Sequence, residues 1–374
     1  MVQVETVVDL DAIAHNVRVL REHAGDAAVM VVVKADGYNH GAVEVGRAAL
    51  AAGAAELGVT TIDEAVALRA AGIEAPILCW LNNSDADFGA AISADIEIGV
   101  SSLAHLRAVE AAALRVGRCA IVTLKVDTGL NRNGISATEY PQVLAALRAL
   151  VDDHVVRFRA VFSHLAHADE PDHPMIDMQR DRFLEAIATA KEYGLEPELV
   201  HLANSAATLT RPDLAFDMVR PGIAAYGLTP VPEVSDFGLR PAMTFQARVV
   251  LVKKVAAGEG VSYGHQWIAP HDTTVALVPA GYADGVFRNL SGRFEVLLGG
   301  ALRPNVGRVC MDQFVVDMGD NAAGVVEGDT AVLFGGADGE PRAQDWADAL
   351  GTIHYEVVCS PRGRVIRRHM GGIG

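Results

Sequence analysis

The stretch Val31-Val32-Val33-Lys34-Ala35-Asp36-Gly37-Tyr38-Asn39-His40-Gly41 is where the fold of this chain is decided. Its run of β-branched apolar residues reads as a strand buried on both faces, ending at a single lysine, turn residues and the helix-like segment Ala42–Ala52. An amine and a phenol thus stand four residues apart where a strand meets a helix. Taken alone, a lysine after a core strand is ordinarily a solvated surface residue. Held at the rim of an apolar barrel, the same lysine has its pKa lowered by desolvation and can form a Schiff base or carry a proton. The rest of the chain decides between the two.

At 374 residues the chain is long enough for two domains, or for one large barrel with an addition. With 51% hydrophobic and 21% charged residues and no low-complexity tract, it is globular rather than disordered. A net charge of -16 excludes nucleic acid or an anionic membrane as the main partner, so any bound anion needs a local site. Cys79, Cys119, Cys310 and Cys359 are widely spaced, with no CxxC, and read as reduced thiols. The N-terminal Met1-Val2-Gln3-Val4-Glu5 leads into no apolar signal segment and no run reaches membrane-spanning length, so the expected location is the cytoplasm.

Val4–Leu10 reads as a strand, with Asp11 as the N-cap of a helix that places Ile13, Val17 and Leu20 on one face. Apolar runs follow near 27–34, 56–60, 76–80, 97–101, 121–127, 158–165, 198–203 and 217–220. They alternate with helix-period segments such as Ile62–Ala71, Leu103–Val116, Tyr140–Val151 and Met178–Tyr193. Eight such units close a parallel (β/α)8 TIM-type barrel, in which chemistry gathers at the C-terminal strand ends. Lys34, Lys125, Asp127, His164, Asn204, Ser205 and Arg220 all fall there.

Beyond Pro230 the texture changes. Thr244–Val255, Thr274–Pro279, Glu295–Leu298, Gln313–Asp317 and Thr330–Phe334 read as short strands of a mainly antiparallel β domain, joined to the barrel by the linker Thr229–Asp236. The division expected is a barrel at 1–235 and a β domain at 236–374. The first strand, about 1–10, is free to pack with the C-terminal domain. Gly371–Gly374 reads as a frayed tail.

The last two strand ends, Asn204-Ser205 and Arg220-Pro221-Gly222-Ile223, suit phosphate binding by backbone N–H groups, although ordinary turn chemistry accounts for them equally. In chain order, Val33-Lys34-Ala35-Asp36-Gly37-Tyr38, Lys125-Val126-Asp127-Thr128-Gly129-Leu130-Asn131-Arg132, Ser163-His164, Asn204-Ser205 and Arg220-Pro221-Gly222 mark the barrel. Gly260-Val261-Ser262-Tyr263-Gly264, Gly281-Tyr282-Ala283-Asp284-Gly285, Cys310-Met311-Asp312-Gln313 and Tyr355-Glu356-Val357 mark the β domain. Together they resemble the fold-type III pyridoxal-phosphate enzymes, specifically the alanine racemase family.

The resemblance implies that Lys34 holds pyridoxal 5'-phosphate covalently, and that Tyr38, Ser205, Tyr355 and the backbone of Gly222 and Ile223 hold its phosphate. Asn204 belongs to the same cofactor site, and Arg220 faces the ring nitrogen. It implies a homodimer with shared active sites, in which Tyr263 of the partner subunit is the second base opposite Lys34. His164 and Arg220 form a hydrogen-bonded chain to that tyrosine. Arg132 and the backbone of Met311 hold the substrate carboxylate, Lys125 carries a carbamate, and Tyr282 and Tyr355 narrow the entrance.

The implied reaction interconverts L- and D-alanine for cell-wall peptidoglycan. The alternatives are a broad-specificity racemase, a pyridoxal-phosphate decarboxylase, which needs an acid where Arg220 stands, and a non-enzymatic pyridoxal-phosphate carrier, which lacks a β domain. Two loops depart from the family pattern, with Asn39 and Asn131 where glycine is common; asparagine tolerates left-handed backbone angles. The string His164-Leu165-Ala166-His167-Ala168-Asp169 lacks the helical spacing of a metal site, and no metal is expected.

Overall fold

The computed structural model describes residues 2–372. The first strand, β1 (Val4–Asp9), runs directly into the helix α1 (Leu10–Ala24). The helix is capped by Asp9 rather than Asp11. Asp9 keeps extended backbone angles, and its carboxylate accepts the N–H groups of Asp11 at 2.9 Å and Ala12 at 3.1 Å. Asp11 lies one position inside the helix, where its own N–H is already bonded.

Eight parallel strands follow: β2 (Ala28–Val32), β3 (Glu56–Val59), β4 (Ile77–Cys79), β5 (Glu97–Val100), β6 (Ala120–Lys125), β7 (Val156–Phe162), β8 (Leu199–His201) and β9 (Met218–Val219). They pair in sequence order, and β9 closes onto β2 with Ala28 opposite Met218 and Val29 opposite Val219. The strands are apolar on both faces because helices cover the outside and side chains fill the inside. At the lower end of the interior, Arg159 on β7 is paired with the buried Glu56 and Glu97, and Thr123 donates to Glu97. That ion cluster replaces an apolar layer.

The second unit is a nine-stranded sheet in the order Leu251–Val255, Thr273–Val278, Phe314–Gly319, Ala301–Val306, Glu295–Leu298, Thr330–Phe334, Met243–Arg248, β1 and Ile366–Met370. Every pairing is antiparallel except that of β1 with Ile366–Met370. The first strand of the chain therefore belongs to the C-terminal sheet and not to the barrel.

The segment expected as one strand over Thr244–Val255 is two, β10 (Met243–Arg248) and β11 (Leu251–Val255). At the break the Val249 N–H donates to Asp329 O and the Val250 N–H to Leu277 O, so the chain crosses from one partner strand to another. Of the tail, Gly372 is held by Asp11, to which its N–H donates at 3.0 Å; residues 373 and 374 lie outside the described residues. Among the described residues no helix is long and apolar enough to cross a membrane.

The two units are clasped through α1. The Asn16 side chain, fully buried, donates to Arg240 O at 2.9 Å and Ala225 O at 3.2 Å and accepts the Arg240 N–H at 2.8 Å. Such a residue joins the end of the barrel to the start of the sheet without leaving backbone groups unpaired.

The ion cluster generates a stability prediction. Arg159→Met leaves two buried carboxylates without their cation and should cost about 3–5 kcal/mol. Replacing Glu56, Glu97 and Arg159 together by apolar residues of similar volume should recover most of that loss in urea unfolding. A single substitution without measurable cost would show that the cluster is not the buried network seen here.

Candidate active site

β2 ends at Val32, and the chain then makes a turn of unusual hand. Ala35, Asp36, Gly37, Tyr38 and Asn39 have φ of +52°, +53°, +63°, +51° and +65°. This is one turn of left-handed helix, closed by Gly37 N–H to Val33 O and Asn39 N–H to Ala35 O. Left-handed backbone costs a non-glycine residue roughly 1–2 kcal/mol, so the turn needs external support.

Much of that support comes from distant residues. Ala35 N–H donates to Glu64 at 2.7 Å, and Asp36 pairs with Arg367 at 2.5 Å. Asn39 donates to Pro361 O at 2.8 Å, Arg367 donates to Asn39, and the His369 ring donates to His40 O at 2.7 Å. Arg367 and His369 lie on the strand paired with β1, so the C-terminal sheet braces the turn that carries Lys34.

Lys34 and Tyr38, at the two ends of this turn, line one cavity of about 360 Å³ with Lys125, Arg132, His164, Asn204, Ser205, Arg220, Gly222, Ile223 and Tyr355. Eleven residues expected at a site from the sequence are thus brought together at the C-terminal ends of the barrel strands. Val32, Ala35, Trp80, Phe162 and Cys359 complete the wall. Among the described residues no carboxylate lines it, while two lysines and two arginines do.

This one-sided charge shapes the titration of the site. Burial lowers the Lys34 pKa, and the charge of Arg132 lowers it further. Lys125 is pulled down to about 7, first by burial and then by the charges of Arg220, Arg132 and Lys34. His164 is held well below the ordinary histidine value by burial and the same cations, and is neutral. A cavity of this kind favours anionic groups.

The features that suit a phosphate lie at one end. Ser205 opens a short helix, with Asn204 as its N-cap accepting the Ala207 N–H, and Ser205 Oγ accepts the N–H groups of Gly222 at 2.8 Å and Ala224 at 3.3 Å. Ile223 is the first residue of a 3-10 helix, where the N–H has no partner within the helix. A Cβ at Gly222 would stand 2.3 Å from the Tyr38 hydroxyl, so glycine is what lets the phenol reach this backbone. Tyr38 in turn lies 4.8 Å from the Tyr226 ring and 6.3 Å from that of Tyr355.

Arg220 is fully enclosed. Its guanidinium bonds His201 Nδ1 at 2.9 Å and donates to the carbonyls of Ser163 and Leu202. The expected chain from Arg220 to His164 is therefore not formed in the single chain; the arginine is oriented by His201, a residue not anticipated. His201 ends a short apolar strand and stacks on Phe162 at 5.1 Å, so nothing but its position at a strand end distinguished it from a core residue. Trp80 was missed as well. Gly58 and Gly99 in the flanking strands are its signal, since a Cβ on either would lie within 3 Å of it.

Tyr263, Tyr282 and Met311 do not line the Lys34 cavity of their own chain. They cluster on the β domain instead: Tyr282 N–H donates to Cys310 O, Ala283 N–H to Met311 O, and Ser262 Oγ lies 3.4 Å from Cys310 Sγ. Tyr263 is 70% exposed and Met311 52%, high values for such side chains. Of the string weighed as metal ligands, His164 lines the cavity, while His167 bonds Glu170 at 2.9 Å and stacks on His173 at 3.8 Å. His167, Glu170 and His173 bring one potential ligand atom each within 4.8 Å of one another, with the two rings parallel within 2°.

A closed parallel barrel with an acid-free lysine–arginine cavity, fused to a β domain that bears the exposed Tyr263, defines a two-domain class of barrel enzyme. The family model "Alanine racemase, N-terminal domain" matches residues 8–230, and "Alanine racemase, C-terminal domain" matches residues 242–369. The chain belongs to the alanine racemase family. It is 61% identical over 366 residues to an alanine racemase of Mycobacterium leprae, covering 98% of this chain and 94% of that one. The structure of the alanine racemase from D-cycloserine-producing Streptomyces lavendulae superposes with a TM-score of 0.97 at 48% identity, covering 100% of this chain and 98% of the other. That of Streptomyces coelicolor gives 0.96 at 47%, covering 99% and 98%.

The contact between Gly222 and Tyr38 can be tested by itself. Gly222→Ala should destabilise the protein by about 1–3 kcal/mol through overpacking, and Tyr38→Phe, which removes the clashing oxygen, should recover most of that loss in the double variant. Additive losses in thermal unfolding would show that the two residues do not meet.

Proposed function

We propose that the protein interconverts L- and D-alanine with pyridoxal 5'-phosphate, in a homodimer whose active sites are shared between subunits, and that the D-alanine serves cell-wall peptidoglycan in the cytoplasm. The observation that carries this reading is the acid-free cavity holding Lys34, Lys125, Arg132 and Arg220, which suits both a phosphate and a substrate carboxylate. When bound, pyridoxal 5'-phosphate draws electrons from the amino acid's α-carbon and acidifies its α-proton.

The remaining roles belong to the chain. Lys34 would anchor the cofactor, while Ser205, Tyr38, Tyr355 and the backbone of Gly222 and Ile223 would hold its phosphate, the Gly222 N–H by orienting the Ser205 hydroxyl to which it donates at 2.8 Å. Asn204 supports that end as the cap before Ser205. Arg220 would face the ring nitrogen with a guanidinium that donates but cannot accept a proton, which would leave that nitrogen unprotonated and disfavour side reactions.

Inversion needs a proton removed from one face and another delivered to the opposite face. Lys34, with its lowered pKa, is the base on one face and takes the proton of D-alanine. Tyr263 of the partner subunit takes that of L-alanine. Its exposure in the single chain supports this assignment, as does its grouping with Met311 and Tyr282. The cavity it would enter is lined by the guanidinium groups of Arg132 and Arg220.

Arg132 binds the substrate carboxylate with the backbone of the partner's Met311. Tyr355 and the partner's Tyr282 narrow the entrance, which favours a methyl side chain over the larger ones a broad-specificity racemase accepts. Two cations as close as Lys125 and Arg132 repel. A carbamate on Lys125, formed by attack of the neutral amine on carbon dioxide with loss of a proton, turns that repulsion into a bidentate pair.

Two experiments check this reading. The purified protein should absorb near the visible edge and form D-alanine from L-alanine, and Tyr263→Ala should slow abstraction from L-alanine far more than from D-alanine; no D-alanine formed, or equal losses, would contradict it. With Lys125 neutral above about pH 7, 13C-bicarbonate should give a carbamate resonance at pH 8 that fades as the pH falls through 7. A resonance that persists in Lys125→Ala would place the carbamate elsewhere.

A further inference from the structure

Three stretches far apart in the chain meet on the β domain where Tyr282 and Met311 stand. The turns 281–285 and 310–313 are joined backbone to backbone, Tyr282 N–H to Cys310 O at 3.1 Å and Ala283 N–H to Met311 O at 3.0 Å. A Cβ on Gly281 would stand 2.3 Å from Met311 O and 2.4 Å from Cys310 O, so glycine is what permits the approach. The third stretch, 360–364, backs the first turn. Ser360 Oγ donates to Gly285 O at 3.0 Å, and Arg362 donates to Tyr282 O through its side chain and to Asp284 O through its N–H, both at 3.3 Å.

Arg364 fastens both turns. Its guanidinium meets Asp284 through two nitrogens, Nε at 3.0 Å and Nη2 at 2.8 Å, and Nη2 stands 2.8 Å from Asp312 Oδ1 as well. Asp284 is 0% exposed, and its Oδ2 also accepts the Gly281 N–H at 3.0 Å, so this carboxylate ties the guanidinium to the turn that carries Tyr282. Exposed ion pairs contribute little. Here one partner is buried and the contact is a two-point fork, which fixes direction as well as distance.

Asp312 matters for a different reason. It directly follows Met311, whose N–H has no acceptor among the described residues. A free carboxylate beside a bare N–H repels any anion which that N–H is to receive, and Arg364 supplies the opposing charge. We infer that Arg364 is a positioning residue for substrate binding: by gripping Asp284 and Asp312 it aligns the Tyr282 and Met311 turns and keeps the Asp312 charge off the substrate carboxylate. The inference rests on the proposed roles of Tyr282 and Met311 in the partner's site. Three residues on, Arg367 pairs with Asp36 in the turn after Lys34. One short segment thus steadies both the half-site that the chain keeps and the half-site that it lends.

The test compares kinetics, ligand binding and amide exchange in the holoenzyme and its variants. Arg364→Ala should raise KM for L-alanine about tenfold and leave kcat within about twofold, since binding and not chemistry is lost. The dissociation constant of propionate, which is alanine without its amino group, should rise by a like factor. Adding Asp312→Asn removes the uncompensated charge and should bring KM back toward the wild-type value. Arg364→Lys, which keeps the charge and loses the fork, should fall between, and it carries the test if Arg364→Ala does not fold. Hydrogen exchange at the Tyr282 and Ala283 amides should quicken in Arg364→Ala, while cofactor absorption and subunit association stay as in the wild type. The inference is overturned by an unchanged KM, by a loss confined to kcat, by unaltered exchange of the two amides, or by a double variant no better than Arg364→Ala. If the wild-type protein forms no D-alanine, the proposed function fails, while amide exchange and propionate binding still decide the role of Arg364.

Discussion

A left-handed turn, held against its own backbone preference, carries the lysine and the tyrosine on which the cavity depends. Positive φ is unfavourable for Ala35, Asp36 and Tyr38 in spite of the turn's own hydrogen bonds. They keep it because Glu64 and Arg367 grip the turn from either side and Asn39 fills its C-terminal end. Arg367 comes from the last strand of the sheet, which pairs with β1, which in turn runs into α1 against the barrel. The sheet is thus part of the mechanical support of the Lys34 site, and loosening the edge strand should be felt in the barrel.

The second constraint is electrostatic. A chain with a net charge of -16 sets aside one cavity from which carboxylates are excluded and to which four cations are admitted. Burying like charges together is unfavourable, and the lowered pKa values of Lys34 and Lys125 are its signature. Anionic ligands relieve it. Arg220, by contrast, is fixed by neutral acceptors alone, His201 and two carbonyls, and so keeps its charge for whatever it faces.

Much of this was legible in the residues. The eight barrel strands announced themselves because they are largely apolar and buried on both faces, apart from the charged groups of the lower ion cluster and the exposed Arg157, and many of the cavity residues because they stand at or just after the strand ends. What escaped has physical reasons. Ile366–Met370 reads Ile-Arg-Arg-His-Met, since an edge strand has its polar side chains free to reach Asp36, Glu5 and His40 O; apolar patterning does not mark it. The N-cap moved from Asp11 to Asp9 because β1 leads into α1 without a loop, a tertiary fact. The left-handed turn after Lys34 is held by side chains remote in sequence, Glu64 and Arg367, which local patterning does not reveal. Asn39 and Asn131, which stand where glycine is usual, do adopt φ of +65° and +54°, as their side chains allow.

In the proposed dimer, one chain holds half of its own active site. Lys34 lines the barrel cavity while Tyr263 stands exposed on the sheet. The most direct measurement mixes Lys34→Ala and Tyr263→Ala proteins, each inactive alone, under conditions that let subunits exchange. Random pairing in a two-fold dimer should restore about a quarter of the wild-type sites, each with Lys34 from one subunit and Tyr263 from the other. No recovery after demonstrated exchange would contradict the shared site.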